Sequence, residues 1–132
     1  MPFNRILLAI SDEGQRELYQ ESLQEEGFSV QVAADGEEAM DLFQIEGQDV
    51  VVADTTLPKT SGLKLLETIH EINPYCGKIL VADSDEDLEE QKETLTKLGA
   101  EEVLRRPFNV ITLLCSIEHR VEVMKDREAQ AL

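Results

Sequence analysis

Five short apolar runs of strand length are separated by longer stretches that read as amphipathic helices, and this alternation leaves few folds open. Ile6-Leu7-Leu8-Ala9-Ile10, led by Arg5, is the first run. Ser11 or Asp12 offers a helix N-cap, and acidic residues follow in the first turn, where the helix dipole favours them. Leu18, Tyr19, Ser22 and Leu23 make one semi-apolar face, and Gly27 stops that helix. Residues 28–34 alternate as a second strand. Asp35-Gly36 turns into a helix over 37–44 with Ala39, Met40, Leu42 and Phe43 inward, ended by Gly47. Residues 49–53 are a third strand, apolar along its length, as in strands buried on both faces. Ser61 caps a third helix with Leu63, Leu66 and Ile69 inward, broken at Asn73-Pro74.

Residues 78–82 form a fourth strand. Residues 85–98 form a fourth helix with a thin apolar stripe (Leu88, Leu95, Leu98), closed by Gly99, and residues 100–104 form a fifth strand. Asn109 caps a fifth helix whose inward stripe is Val110, Leu113, Leu114, Ile117, Val121 and Met124. Residues 125–132 carry no core signal and read as a tail or the start of a linker. The expected architecture is one α/β domain over residues 1–124, a doubly wound five-stranded parallel sheet with βα repeated five times and both faces covered.

Length and charge narrow the function classes. The 132 residues suit one domain and leave no room for a second, output domain. Twelve basic against twenty-eight acidic side chains give a net charge of −16, which disfavours nucleic acid and anionic membranes as partners. No apolar run approaches membrane-spanning length, and the five apolar residues after Arg5 are too few for a signal-peptide core. A cytoplasmic location is expected. Cys76 and Cys115 lack metal or redox spacing and are read as reduced thiols. His70 and His119 have no partner at ligand spacing and are expected to be solvated.

Sites in such sheets form beyond the carboxyl ends of the strands. The residues to inspect are therefore Ser11-Asp12, Asp54, Asp83 and Arg105-Arg106, an acidic rim with one or two guanidiniums.

In order and spacing, several stretches resemble the receiver domain of response regulators, the flavodoxin-like (CheY-like) module of two-component signalling. They are Arg5-Ile6-Leu7-Leu8, Glu25-Glu26-Gly27-Phe28, residues 34–39, Val50-Val51-Val52-Ala53-Asp54 with Leu57-Pro58 and Ser61-Gly62-Leu63, and Gly99-Ala100-Glu101-Glu102 with Arg106-Pro107-Phe108. The resemblance covers residues 4–124. It implies phosphoryl transfer from a phosphohistidine on a sensor histidine kinase or phosphotransfer protein to Asp54. It also implies that the chain is not an enzyme, and a signal passed on by partner binding.

Carried over residue by residue, the resemblance keeps the acceptor and loses its surroundings. The acidic pair that holds Mg²⁺ in the family falls on Ile10 and Ser11, with Asp12 one position late. The family's hydroxyl falls on Asp83, beside Ser84, its lysine on Arg106, and its switch aromatic on Val103. The peptide before Pro107 is expected to be cis, as in the family. Mg²⁺ would find Asp54, the Thr56 carbonyl and Asp12, a weak set, so weak phosphorylation is expected. Arg106 is expected to bridge Asp54 and Asp83, since a planar fork suits two carboxylates.

The fourth helix, fifth strand and fifth helix are the surface through which the family meets output proteins and forms homodimers. Here residues 83–93 carry seven acids and one base, Lys92, a solvated face or a dock for a basic partner. The alternative reading is a phosphorylation-independent pseudo-receiver that acts as a protein-interaction module. A phosphatase of the haloacid-dehalogenase type lacks its second acid in Asp54-Thr55-Thr56, and the acidic loop Ser11-Asp12-Glu13-Gly14 does not suit flavin phosphate.

Overall fold

The computed structural model describes residues 4–83, 98 and 102–131. The strands are β1 (Arg5–Ala9), β2 (Ser29–Ala33), β3 (Val50–Asp54), β4 (Gly77–Ala82) and β5 (Glu102–Arg105). The helices are α1 (Glu13–Glu25), α2 (Gly36–Glu46), α3 (Gly62–Ile72) and α4 (Val110–Ala131), the last being the fifth expected from the sequence. All pairings are parallel, in the order β2-β1-β3-β4-β5. The helix expected over 85–98, with Ser84, Gly99 and most of the acidic run, lies outside the described residues.

Alternation along each strand sorts the core into two layers. Leu7, Ala9, Val51, Ala53 and Leu80 point to the side covered by α2 and α3, where Phe43, Leu65, Leu66, Ile69 and Leu98 close the layer. Ile6, Leu8, Val50, Val52, Ile79 and Val81 point to the side covered by α1 and α4, meeting Tyr19, Leu23, Leu113, Ile117 and Val121. Each fully buried Leu or Ile contributes about 1.5–3 kcal/mol relative to exposure.

The caps are local and follow the sequence. Asp12, Asp35, Ser61 and Asn109 each accept a hydrogen bond from the amide three residues on. Gly47, at α2's C-cap, has φ +69°, and Gly27, just beyond α1, has φ +94°.

Three expectations about helix faces and ends change. Leu18 is 53% exposed, because α1 is rotated to put Tyr19 and Leu23 on the sheet. Leu65, not Leu63, joins Leu66 and Ile69 in full burial, while Leu63 is half-buried. The last helix runs on to Ala131, with residues 125–130 exposed, so the tail is helical and adds nothing to the core. His119 is exposed as expected, but His70 is half-buried with its Nδ1 covered.

Candidate functional site

The strand order reverses direction between β1 and β3, and the crevice beyond their carboxyl ends is where such a sheet offers a site. Asp54 is the last residue of β3, one position further into the strand than the sequence expected, and its side chain is 1% exposed. Its backbone is pinned from behind, since a Cβ on Gly62 would overlap the Asp54 carbonyl. A Cβ on Gly36 would likewise overlap the Thr60 carbonyl, so α2 and α3 both press on the β3–α3 loop.

A buried carboxylate needs partners on every lone pair. Asp54 Oδ1 accepts from the Thr56 amide at 2.9 Å, the Thr56 hydroxyl at 2.8 Å and Arg106 Nη1 at 3.4 Å. Asp54 Oδ2 accepts from the Ser11 hydroxyl at 3.0 Å, the Ser11 amide at 3.4 Å and Arg106 Nη2 at 3.0 Å. Burial by itself would push this carboxyl up. The hydrogen bonds from Arg106 and Thr56, with the Arg106 charge, outweigh it and hold the group below its ordinary value.

Arg106 follows β5, before a cis peptide to Pro107. Its Nη1 also donates to Asp83 Oδ1 at 2.9 Å, so the guanidinium spans the two carboxylates. Burial disfavours its charge, but Asp54 first and Asp83 second keep it protonated, above its ordinary value. Asp83 lies just past β4, with its side chain 49% exposed.

The loop after β1 does not supply an acidic pair. The Ile10 side chain is fully buried among the α1- and α4-side core residues. Ser11 is turned to Asp54 and also meets the Thr56 hydroxyl at 3.1 Å. Asp12 caps α1, its Oδ2 taking the Gln15 amide at 2.9 Å. Arg16 donates to the carbonyls of Ile10 at 2.8 Å and Ser11 at 3.4 Å, which fixes this loop with a guanidinium. Among the described residues no group of three or more His, Cys, Asp or Glu side chains is placed to hold a metal ion.

A cleft of about 160 Å³ opens onto this cluster, lined by Ser11, Asp12, Gln15, Asp54, Thr56, Asp83 and Arg106. Six residues singled out from the sequence, Ser11, Asp12, Asp54, Thr56, Asp83 and Arg106, therefore share one site. Arg105 is exposed and does not line it. Val103 is half-buried and packs toward the α2 and α3 side.

Gln15 was not expected. Its Oε1 accepts from Arg106 Nε at 3.0 Å and Nη2 at 2.7 Å. The available signal was a Gln three residues after an Asp N-cap, the capping-box position, though here the side chain serves a residue 91 positions away.

Compared with known proteins, the model of the response regulator receiver domain family matches residues 6–118. The chain belongs to this family. It is 30% identical over 113 residues to the transcriptional regulatory protein TrcR of Mycobacterium tuberculosis, covering 86% of this chain and 43% of that protein. It is 33% identical over 114 residues to the transcriptional regulatory protein CpxR of Escherichia coli, covering 86% and 47%. The receiver thus spans less than half the length of these relatives. Among solved structures, the CheY-like receiver domain protein of Methanospirillum hungatei superposes with a TM-score of 0.88 at 26% identity, covering 95% of this chain and 98% of that one. The receiver domain of the Francisella response regulator 1452 gives 0.79 at 27% identity, covering 89% and 95%. The five-stranded parallel architecture is therefore that of the receiver fold, a signalling module of two-component systems. No described helix is long and apolar enough to cross a membrane.

Proposed function

We propose that this receiver presents Asp54 as the phosphoacceptor of a two-component relay, with the Arg106 guanidinium balancing at rest the charge that a bound Mg²⁺ balances elsewhere in the family. The observation that carries the reading is the bridge itself: a carboxylate 1% exposed at the end of the central strand, joined by one guanidinium to Asp83.

The donor set does not fit a resident Mg²⁺. Ile10 is apolar and buried, Ser11 is spent on Asp54, and Asp12 is spent on its cap. Mg²⁺ needs near-octahedral oxygen ligands and commonly one or two free carboxylates. Asp54, Thr56 and Asp12 would hold it weakly at best.

In the proposed reaction an Asp54 oxygen forms the new bond to phosphorus. The phosphorus–nitrogen bond of a phosphohistidine breaks, and its electron pair stays on the imidazole. The product carries up to two charges beside Asp83. Unit charges ~5 Å apart at an effective dielectric of 20 interact by roughly 3 kcal/mol, so Asp83 opposes the product unless Arg106 follows the phosphoryl oxygens. Phosphorylation is accordingly weak. Asp83 and Arg106 are the phosphate-contacting switch positions, and Asp54 must first be released from its bridge.

The donor would be a sensor histidine kinase or phosphotransfer protein, in the cytoplasm. The output would be a change of partner on the surface through which the family meets its partners, to which β5 and α4 belong, including a second copy of the chain. Residues 1–124 would form the receiver proper, and 125–132 a C-terminal tail or the start of a linker. The same bridge also favours a second reading, a pseudo-receiver that binds partners without phosphate, because it leaves no Asp54 lone pair free.

The test is the intact mass after incubation with acetyl phosphate or phosphoramidate, with and without Mg²⁺. A gain of one phosphoryl group that is lost in Asp54→Asn, with little dependence on Mg²⁺, is expected. No gain in any condition would leave the second reading in its place. Saturable Mg²⁺-induced NMR shifts centred on Asp54 at low Mg²⁺ would overturn the metal-poor pocket.

A further inference from the structure

We propose that Gln15 is a positioning residue: its side-chain carbonyl holds the Arg106 guanidinium in the orientation that serves Asp54 and Asp83, and so fastens the first turn of α1 to the cleft. A guanidinium has five N–H donors in a fixed plane. The contacts of Arg106 account for all of them. Nε and one Nη2 proton go to Gln15, the other Nη2 proton to Asp54 Oδ2, and the two Nη1 protons to Asp83 and Asp54 Oδ1. The two carboxylates take one side of the fork, and Gln15 alone takes the edge nearest the chain. Without it Nε–H and one Nη2 proton lose their acceptor, and the plane is held only by the two carboxylates at its far side.

A second contact on the same helix face supports this. Tyr19 follows Gln15 by four residues and therefore sits one turn along. It is 5% exposed, and its ring stacks on Phe108 with centroids 5.9 Å apart and planes 23° from parallel. Phe108 is two residues beyond Arg106. Gln15 and Tyr19 together grip the 106–108 turn from α1. Burial pushes the Tyr19 phenol up, while the Arg106 charge opposes it, as expected for a ring set close to the bridge.

The consequence is a route out of the cleft that does not need an aromatic rotamer on β5, where Val103 has no ring to turn. If Arg106 moves with a change of charge at Asp54, it must break with Gln15 or take the start of α1 with it. That use of the clamp as a signalling route rests on the reading of Asp54 given above, whereas the clamp itself rests on the Gln15 geometry.

The test is NMR on the full chain, comparing wild type, Gln15→Met and Gln15→Glu. Met keeps the length and loses the acceptor, and Glu keeps an acceptor. The Arg106 Nε–H should exchange slowly in wild type, about tenfold or more faster in Gln15→Met, and slowly again in Gln15→Glu. Asp54→Asn should shift the amide signals of residues 13–19 in the wild-type background and leave them nearly still in Gln15→Met. Unchanged Nε–H exchange in Gln15→Met, or an undiminished α1 response to Asp54→Asn in that background, would overturn the proposal. Beryllofluoride binding is read separately: its absence counts against Asp54 as acceptor, while the clamp stands or falls on the Nε–H signal.

Discussion

Replacing Arg106 by Met removes the guanidinium and keeps a side chain of comparable length. Asp54 is then a carboxylate 1% exposed, with Thr56 and Ser11 as hydrogen-bond donors and no cation. Removing one partner of a buried ion pair costs about 3–5 kcal/mol, because the other charge stays behind uncompensated. The three good hydrogen bonds that remain lower this to about 2–4 kcal/mol here. With an unfolding entropy of about 2.1 cal/mol/K per residue, a chain of this length should lose about 7–14 °C in Tm. The effect should depend on pH with a definite sign. In wild type the folded-state pKa of Asp54 is depressed, so its contribution is present above the unfolded value of about 3.9 and is lost as pH falls through the folded value. In Arg106→Met, burial lacks its main opponent and the pKa rises, so the penalty is full at neutral pH and shrinks as the carboxyl takes up a proton. Urea denaturation followed by circular dichroism at about pH 7 and about pH 4.5 measures both. A gap below about 0.5 kcal/mol at neutral pH, or one that stays constant into acid, would refute the claim that this bridge compensates a buried charge.

Other substitutions test the surroundings. Gly62→Ala should lower stability by about 2–4 kcal/mol in thermal melts, since the added methyl must displace the Asp54 carbonyl; a change below about 0.5 kcal/mol would show that the strand end yields freely. Asp83→Thr should change stability by less than about 1 kcal/mol, because its side chain is half exposed, yet raise the phosphoryl mass gain from acetyl phosphate several-fold by removing a like charge; an unchanged gain would refute its repulsive role. Leu113→Ala, in the fully buried contact of α4 with the sheet, should cost about 2–5 kcal/mol by denaturant titration, while Lys125→Ala on the exposed extension should stay within about 0.5 kcal/mol.

The chain of strands and helices was legible in the amino-acid order because each signal is local. The apolar runs at 6–10 and 50–53, the caps at Asp12, Asp35, Ser61 and Asn109, and the glycines at 27 and 47 act within a few residues of themselves. A two-sided parallel sheet is the arrangement that buries such runs, and its switch point then places Asp54, Asp83 and Arg106 on one rim. What the order of residues left open is which way each helix is turned and which side chains meet across the rim. Leu18 and Tyr19 were both expected on the inward face, and only the seat of α1 on the sheet sends one to solvent and the other into the core. Gln15 was not singled out in the sequence, and only the approach of β5 brings Arg106 to it. Contacts of that span depend on how rigid elements pack, a property of the assembled layers that no local window of sequence contains.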